Sequence, residues 1–169
     1  EAYARWAGKR LPTEEEWEKA ARGPGRAVEG GKNFIYPWGT ACDPERANCA
    51  DFWANEKTGA HLKIRFNTAG RGPMPVNSFD PGGASPYGVL NMAGNVREWC
   101  HDWYSVDYYG QSPAENPRGP ASGEKTVLRG GAFSGSADSC TCWARFCDEP
   151  GFADACVASD DYGFRCVRK

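Results

Sequence analysis

Long apolar runs are missing: no stretch approaches the length of a membrane span and none has the layout of an export signal, so no span is expected within these residues. An excess of positive charge is missing too. With 20 Lys and Arg against 22 Asp and Glu, the formal net charge is −2, and nothing in the bulk charge draws the chain to nucleic acid or to an anionic membrane surface. Histidine is scarce. The two present, His61 and His101, lie far apart, and each reads as a surface or core residue rather than half of a catalytic pair. Long helical periods are few, because 21 Gly and 12 Pro break the chain into turns.

What remains is enough for one core. The 169 residues are 40% hydrophobic and 13% aromatic, which predicts a single domain over 1–169. The chain opens on Glu1 inside what reads as a helix, so it is expected to be a piece of something longer, from which an export signal could have been lost. Eight cysteines stand at positions 42, 49, 100, 140, 142, 147, 156 and 166. Such a count suits disulfides in an oxidising compartment, but a chain of this size does not need them as a scaffold and their connectivity is not legible. Cys140-x-Cys142 lacks the spacing of a zinc knuckle and has no histidine near it, which argues against zinc.

The clearest local signal is Leu11-Pro-Thr-Glu-Glu-Glu-Trp-Glu-Lys-Ala-Ala-Arg-Gly23. Thr13 and Glu16 form a capping box, acids crowd the first turn, Lys19 and Arg22 sit late, and Gly23 stops the helix. Trp17, Ala20 and Ala21 supply its buried stripe. Before it, Ala2, Tyr3, Trp6 and Ala7 share one face of a short helix that Gly8 ends. Residues 34–39 read as a short extended piece, 40–75 as a long irregular loop held down by Phe52, Trp53, Ile64 and Phe66 and open to closure by Cys42 and Cys49, and 75–79 as a strand. Strands are also predicted at 126–133 and 163–168.

Residues 91–103, Asn-Met-Ala-Gly-Asn-Val-Arg-Glu-Trp-Cys-His-Asp-Trp, are too polar for a plain core strand and too aromatic for a plain loop. Asn91 and Glu98 offer side-chain oxygens, and Gly94 lets the backbone bend so that carbonyls between them point at one spot; a hard cation such as Ca²⁺ wants such a set. The plainer alternative is a turn in which Asn91 and Asn95 cap their own backbone and Glu98 is a surface carboxylate.

Five separated strings then agree. Residues 10–23, Tyr36-Pro-Trp-Gly39, Tyr87-Gly-Val-Leu-Asn-Met-Ala-Gly-Asn-Val-Arg-Glu-Trp99, Leu128-Arg-Gly-Gly131 and Gly163-Phe-Arg165 resemble, in order, the signatures of the formylglycine-generating enzyme (sulfatase-modifying factor) domain family. The resemblance implies an α+β, C-type-lectin-like fold with two short helices, short antiparallel strands and much irregular structure, and an N-terminal part of the domain missing here. It places a structural Ca²⁺ on the side chains of Asn91 and Glu98 and the carbonyls of Gly94 and Val96. For a second calcium site only Asn48 is found.

The family's oxidase centre matches poorly. Its Gly-Gly turn is followed by a serine and by two cysteines five residues apart that hold copper; here these positions are Ala132, Gly135 and Cys140, and Arg97 stands where a tryptophan precedes Glu98. A soft copper(I) ion wants both thiolates, so no copper is expected. Residues 132–162 hold six Ala, five Asp, four Ser, four Cys and three Phe, with no Lys, Gln, Met, Leu or Ile, a mixture that predicts an exposed folded loop between two buried strands. Its acids, Asp138, Asp148, Glu149, Asp154, Asp160 and Asp161, face one Arg145, so phosphates are poor ligands.

This segment is similar to the variable region of diversity-generating retroelement proteins. There, Asn codons randomised at adenines give residues such as Ser, Ala, Asp, Gly, Cys, Phe, Tyr and Val, but never Lys, Gln, Glu, Met or Trp; the fit requires Trp143 and Glu149 to be unvaried. An ordinary divergent loop is the alternative. The candidate ligand contacts are the aromatics Phe133, Trp143, Phe146, Phe152 and Tyr162, the serines Ser134 and Ser136, and the acids Asp138, Asp148, Asp154 and Asp160. The expectation is a non-enzymatic binding protein for an unknown protein or small molecule, and the resemblance adds a secreted or cell-surface location. The rival is a copper-dependent oxidase acting on a peptide cysteine through Cys140 and Cys142. A weaker third is a subunit that docks on a partner enzyme.

Overall fold

The computed structural model describes residues 1–24, 34–43, 45–54, 60, 71–149 and 160–168. Helices α1 (Ala2–Trp6), α2 (Glu14–Arg22) and α3 (Ala50–Ala54) accompany a two-stranded ribbon of β1 (Lys9–Arg10) with β6 (Val167–Arg168) and a four-stranded sheet. The sheet is built from β2 (Arg97–Trp103), β3 (Thr126–Arg129), β4 (Arg145–Asp148) and β5 (Tyr162–Phe164), in the order β4-β3-β2-β5. Its pairs are antiparallel except β2 with β5, which run parallel. The architecture is α+β.

Helix α2 forms where its capping box predicts: Thr13 Oγ1 accepts from the Glu16 N–H at 3.2 Å, and Glu16 returns the bond by accepting from the Thr13 N–H at 2.9 Å. Trp17 and Ala21 are buried, and they pack with Met92, Cys100, Val127 and Cys142 on the inner face of the sheet. Helix α1 also forms where it is predicted, just before Gly8. Its buried residue is Ala4, whereas Tyr3 and Trp6 are exposed and meet in a tilted ring contact, with Tyr3 also against Phe164.

Residues 91–103 divide in two. The first half is a turn in which Asn91, Gly94 and Asn95 all take positive φ; the second is β2, the strand between β3 and β5, so the reading of the whole stretch as a turn is corrected. Along β2, Glu98, Cys100 and Asp102 point inward and Arg97, Trp99, His101 and Trp103 point to the opposite face. Inward polar residues survive because each finds a partner: Glu98 accepts from Trp17 Nε1 at 2.7 Å, and Asp102 accepts from the Glu14 N–H at 2.8 Å, capping the front of α2.

A second core sits beyond the turn, where Ala47, Cys49, Phe52, Met74, Phe79, Ala93 and Cys140 pack together. Here α3 replaces part of the predicted irregular loop, with Phe52 buried and the Trp53 Nε1 bonded to Asn48 at 2.6 Å. Ile64 and Phe66 lie outside the described residues. Residues 35–39 form a tight turn closed by the Tyr36–Gly39 bridge, with Tyr36 stacked on Trp38, not an extended piece. Residues 76–83 are turns as well, so the strand predicted at 75–79 is not formed.

The front of α2 carries a titration signature. Asp102 is raised from its ordinary value by burial and by the charge of Glu14, against the bond from the Glu14 N–H, and its Oδ1 has no hydrogen-bond partner among the described residues. Glu15 is raised too, by burial first and then by Asp102 and Glu14. A carboxyl whose folded pKa is raised contributes stability below its unfolded pKa and loses it as pH rises through the folded one. Asp102→Asn keeps an oxygen for the Glu14 N–H and removes the charge. Urea melts from about pH 4 to about pH 7 should therefore show the variant gaining on the parent as pH rises; parallel curves would contradict this.

Candidate functional site

The outer face of the sheet gathers part of the predicted contact set. Register puts Phe146 of β4 opposite Leu128, and Tyr162 of β5 beside Arg97. Arg97 fills the middle. Its guanidinium lies 5.2 Å from the Phe146 ring centre and 5.9 Å from that of Tyr162, and its Nη1 is 3.5 Å from Asp161 Oδ2. Ser134 Oγ donates to the same Asp161 carboxylate, and the Tyr162 hydroxyl donates to Asp148 Oδ2 at 2.6 Å. That bond, with one from the Glu149 N–H, holds the Asp148 carboxyl below its usual range and pushes the Tyr162 hydroxyl up. Trp99 closes the cluster edge-on to Tyr162 at 5.7 Å.

Ser134, Phe146, Asp148 and Tyr162 are thus brought together around Arg97 and Asp161, two residues absent from the predicted set. The others are not. Ser136 and Asp138 belong to a 3₁₀ turn, Ala137–Cys140, against α3. Trp143 is 46% exposed on the α2 side, under the Arg22 guanidinium at 5.8 Å. Phe133 is half-buried, its N–H bonded to the Asn95 carbonyl, and Asp160 is exposed. Phe152 and Asp154 lie outside the described residues.

The segment is also less loop-like than its composition predicts. Ala132, Cys140, Thr141 and Cys142 are buried, and 145–148 is a strand paired with β3. Small residues here pack against glycine turns: a Cβ on Gly131 would lie 2.7 Å from Cys140 Sγ. Farther along the same outer face a groove of about 640 Å³ is lined by Trp99, Trp103, Phe164, Leu11, Thr126 and Pro120.

The thiols are arranged differently from the predicted pair. Cys140 belongs to the α3 core and Cys142 to the α2 core, so they do not share a site. Cys140 instead packs in one core cluster with Cys49, a partner 91 positions away that the sequence reading missed; Cys42 is a free, exposed thiol, not bridged to Cys49. The Cys140 thiol is pushed well up by Cys49 and by burial, and Cys49 is lowered by Cys140 and by backbone N–H donors of α3.

At the proposed calcium position the plain-turn alternative does not hold. Glu98 is 6% exposed; its Oε2 accepts from Trp17 and from Arg165 Nε at 2.5 Å, and its Oε1 from Arg165 Nη2 at 2.7 Å. Arg165 Nη2 also reaches the Leu90 and Asn91 carbonyls, and Asn91 Nδ2 donates to the Val76 carbonyl. A carboxylate accepts about four bonds, so one lone pair of Glu98 remains, and Arg165 Nη2 links this carboxylate to the Asn91 backbone carbonyl. The donor types fit a hard cation, while Arg165 already balances the charge of Glu98. Asn48 spends both amide hydrogens on Gly72 and Asn95 and accepts from Trp53 Nε1, which leaves one lone pair on its Oδ1.

The model of the sulfatase-modifying factor enzyme 1-like domain matches residues 1–169. The chain belongs to this family. It is similar to the formylglycine-generating enzyme of Thermomonospora curvata, 41% identical over 176 residues that take in 98% of this chain and 51% of that protein. It is also 37% identical to the inactive C-alpha-formylglycine-generating enzyme 2 of Bos taurus, over 98% of this chain and 46% of that one. Among solved structures, Treponema denticola variable protein 1 superposes with a TM-score of 0.63 at 31% identity, covering 92% of this chain and 46% of its own. The chain spans about half the length of the curated relatives it matches. Within the family, the fold is the C-type-lectin-like one. Among the described residues no helix is long and apolar enough to cross a membrane.

Proposed function

We propose that this domain is a non-enzymatic ligand-binding module that displays a variable surface for a protein or small molecule, centred on the outer face of its sheet. One observation carries the reading. Ser134, Phe146, Asp148, Asp161 and Tyr162, contributed by three separate stretches of chain, converge on Arg97 at the end of a paired strand, where a rigid backbone holds an adaptable mixture of ring, hydroxyl and charge. The likeness to Treponema denticola variable protein 1 supports it, and a location outside the cytoplasm belongs to the same proposal. The test is genomic: the reading expects a nearby near-copy of the gene's 3′ end that differs only where the copy has adenines. A single-copy gene would return the domain to an ordinary divergent relative.

The second reading is a copper-dependent oxidase acting on a peptide cysteine, as the name of the Thermomonospora relative suggests. The Cys49–Cys140 contact favours it by supplying a second thiol. Against it, those residues are 0% and 1% exposed, so no substrate thiol can reach them, and the family's cysteine and serine positions are Gly135 and Ala132.

Calcium is part of the proposal, held by the Asn91 amide oxygen, the Gly94 and Val96 carbonyls and the free lone pair of Glu98, where it would brace the turn that feeds β2. Calcium at about a hundredfold its Kd should raise Tm by roughly 5–10 °C, and Asn91→Ala should abolish the rise. An unchanged Tm in the parent would remove calcium from the account.

A further inference from the structure

Cys49 immediately precedes α3 and Cys140 ends the 3₁₀ turn packed against it. Two hydrogen bonds fix the segments to each other: the Ala50 N–H donates to the Gly135 carbonyl at 2.7 Å and the Ala137 N–H to Asp51 Oδ2 at 2.6 Å. Both thiols are buried in one core cluster, and each shifts the titration of the other. Seven positions before Cys49 in the chain stands Cys42, a free and exposed thiol. One free thiol thus lies at the surface, and two lie buried together in the core.

We propose that Cys49 and Cys140 are a dithiol–disulfide couple that is oxidised through Cys42. The oxidant is a low-molecular-weight disulfide, RSSR. The Cys42 thiolate attacks one of its sulfurs, forming a mixed disulfide and expelling RS⁻, which takes up a proton. The Cys49 thiolate attacks the Cys42 sulfur, forming Cys42–Cys49 and expelling a second RS⁻. Cys140 then attacks the Cys49 sulfur, forming Cys49–Cys140 and releasing Cys42, which recovers the proton given up by Cys140. In sum two protein thiols are oxidised and RSSR is reduced to two RSH. The lowered thiol of Cys49 suits it to the central role, whereas burial raises the Cys42 thiol, so the first attack sets the pace. Closure fixes the turn bearing Ser136 and Asp138 to α3 and goes beyond the binding proposal, since it does not depend on a ligand.

The test uses the full-length protein, reduced, freed of reductant and exposed to glutathione disulfide, then acid-quenched, alkylated and peptide-mapped. The expected product is a Cys49–Cys140 cross-linked peptide lighter by two hydrogen atoms than its reduced parts. Cys42→Ser, a change at an exposed position, should slow its formation about tenfold or more. Glutathione retained on Cys42 with Cys49 and Cys140 both alkylated would overturn the proposal, as would pairing of Cys140 with Cys142. Undiminished closure in Cys42→Ser would overturn the role of Cys42. The map is made on the unmutated chain, so it stands even if Cys49→Ser or Cys140→Ser does not fold.

Discussion

Glu14→Ala should cost about 3–5 kcal/mol, because it breaks a buried ion pair. Glu14 is 2% exposed and grips Arg145 with both oxygens, at 2.6 and 2.8 Å, while Arg129, 0% exposed, lies 3.5 Å from the same carboxylate. Arg129 keeps Glu18 at 2.5 Å and the carbonyls of residues 142–144, but among the described residues Arg145 has no second carboxylate, only the Ser105 carbonyl at 3.5 Å and the rings of Tyr104 and Tyr109 at 4.9 and 4.7 Å. Removing Glu14 leaves two guanidiniums near each other with a single acid between them. At roughly 2–4 °C per kcal/mol for a chain of this size, Tm should fall by about 10 °C. Glu14→Gln, which keeps an acceptor but not the charge, should fall between, and a loss under about 1 kcal/mol in the alanine variant would mean the network is not structural.

Gly94→Ala should be of the same order, about 3–5 kcal/mol, for a different reason. A Cβ at residue 94 would lie 2.2 Å from the Asn48 carbonyl oxygen, and neither backbone can yield, because the Asn95 N–H binds that same oxygen at 2.8 Å and the Gly94 N–H binds Gly130 at 2.7 Å. Gly8→Ala is the control. Its φ of +67° is close to the +73° of Gly94, but a Cβ there meets nothing within 4 Å, so only the left-handed strain of about 1 kcal/mol should appear. Equal losses in urea melts of the two variants would show that the close approach of the turn to Asn48 does not matter.

The same residues explain what the sequence could reveal. Helix α2 was legible because its signals are local: Thr13 and Glu16 are three residues apart and Gly23 follows at once. Strand β3 was legible because Val127 and Leu128 are apolar and buried. Strand β2 was not. Its inward positions are Glu98, Cys100 and Asp102, so the alternation of burial is hidden behind polar side chains whose partners stand far off in the chain, Arg165 67 positions away, Trp17 81 and the Glu14 N–H 88. A carboxylate that reads as surface or as metal ligand is, in the fold, one half of a buried ion pair.

The candidate site followed the same rule. Ser134, Phe146, Asp148 and Tyr162 were found by composition, but Arg97 was noted only for the tryptophan it replaces, and its position between two rings needed the β2–β5 register. Cys49 was read only as a local partner for Cys42, and nothing near it pointed to Cys140. The five residues of α3 are too few for a helical period to show, and its contact with Cys140 spans 91 positions.

The central claim is that this member of the family binds and does not oxidise. The most direct measurement supplies the reduced full-length protein with stoichiometric copper(I), oxygen and a cysteine-containing peptide, and follows the peptide by mass for conversion of its cysteine to the aldehyde. The account predicts no conversion above that given by copper alone. Catalytic conversion that disappears in Cys140→Ser would contradict it.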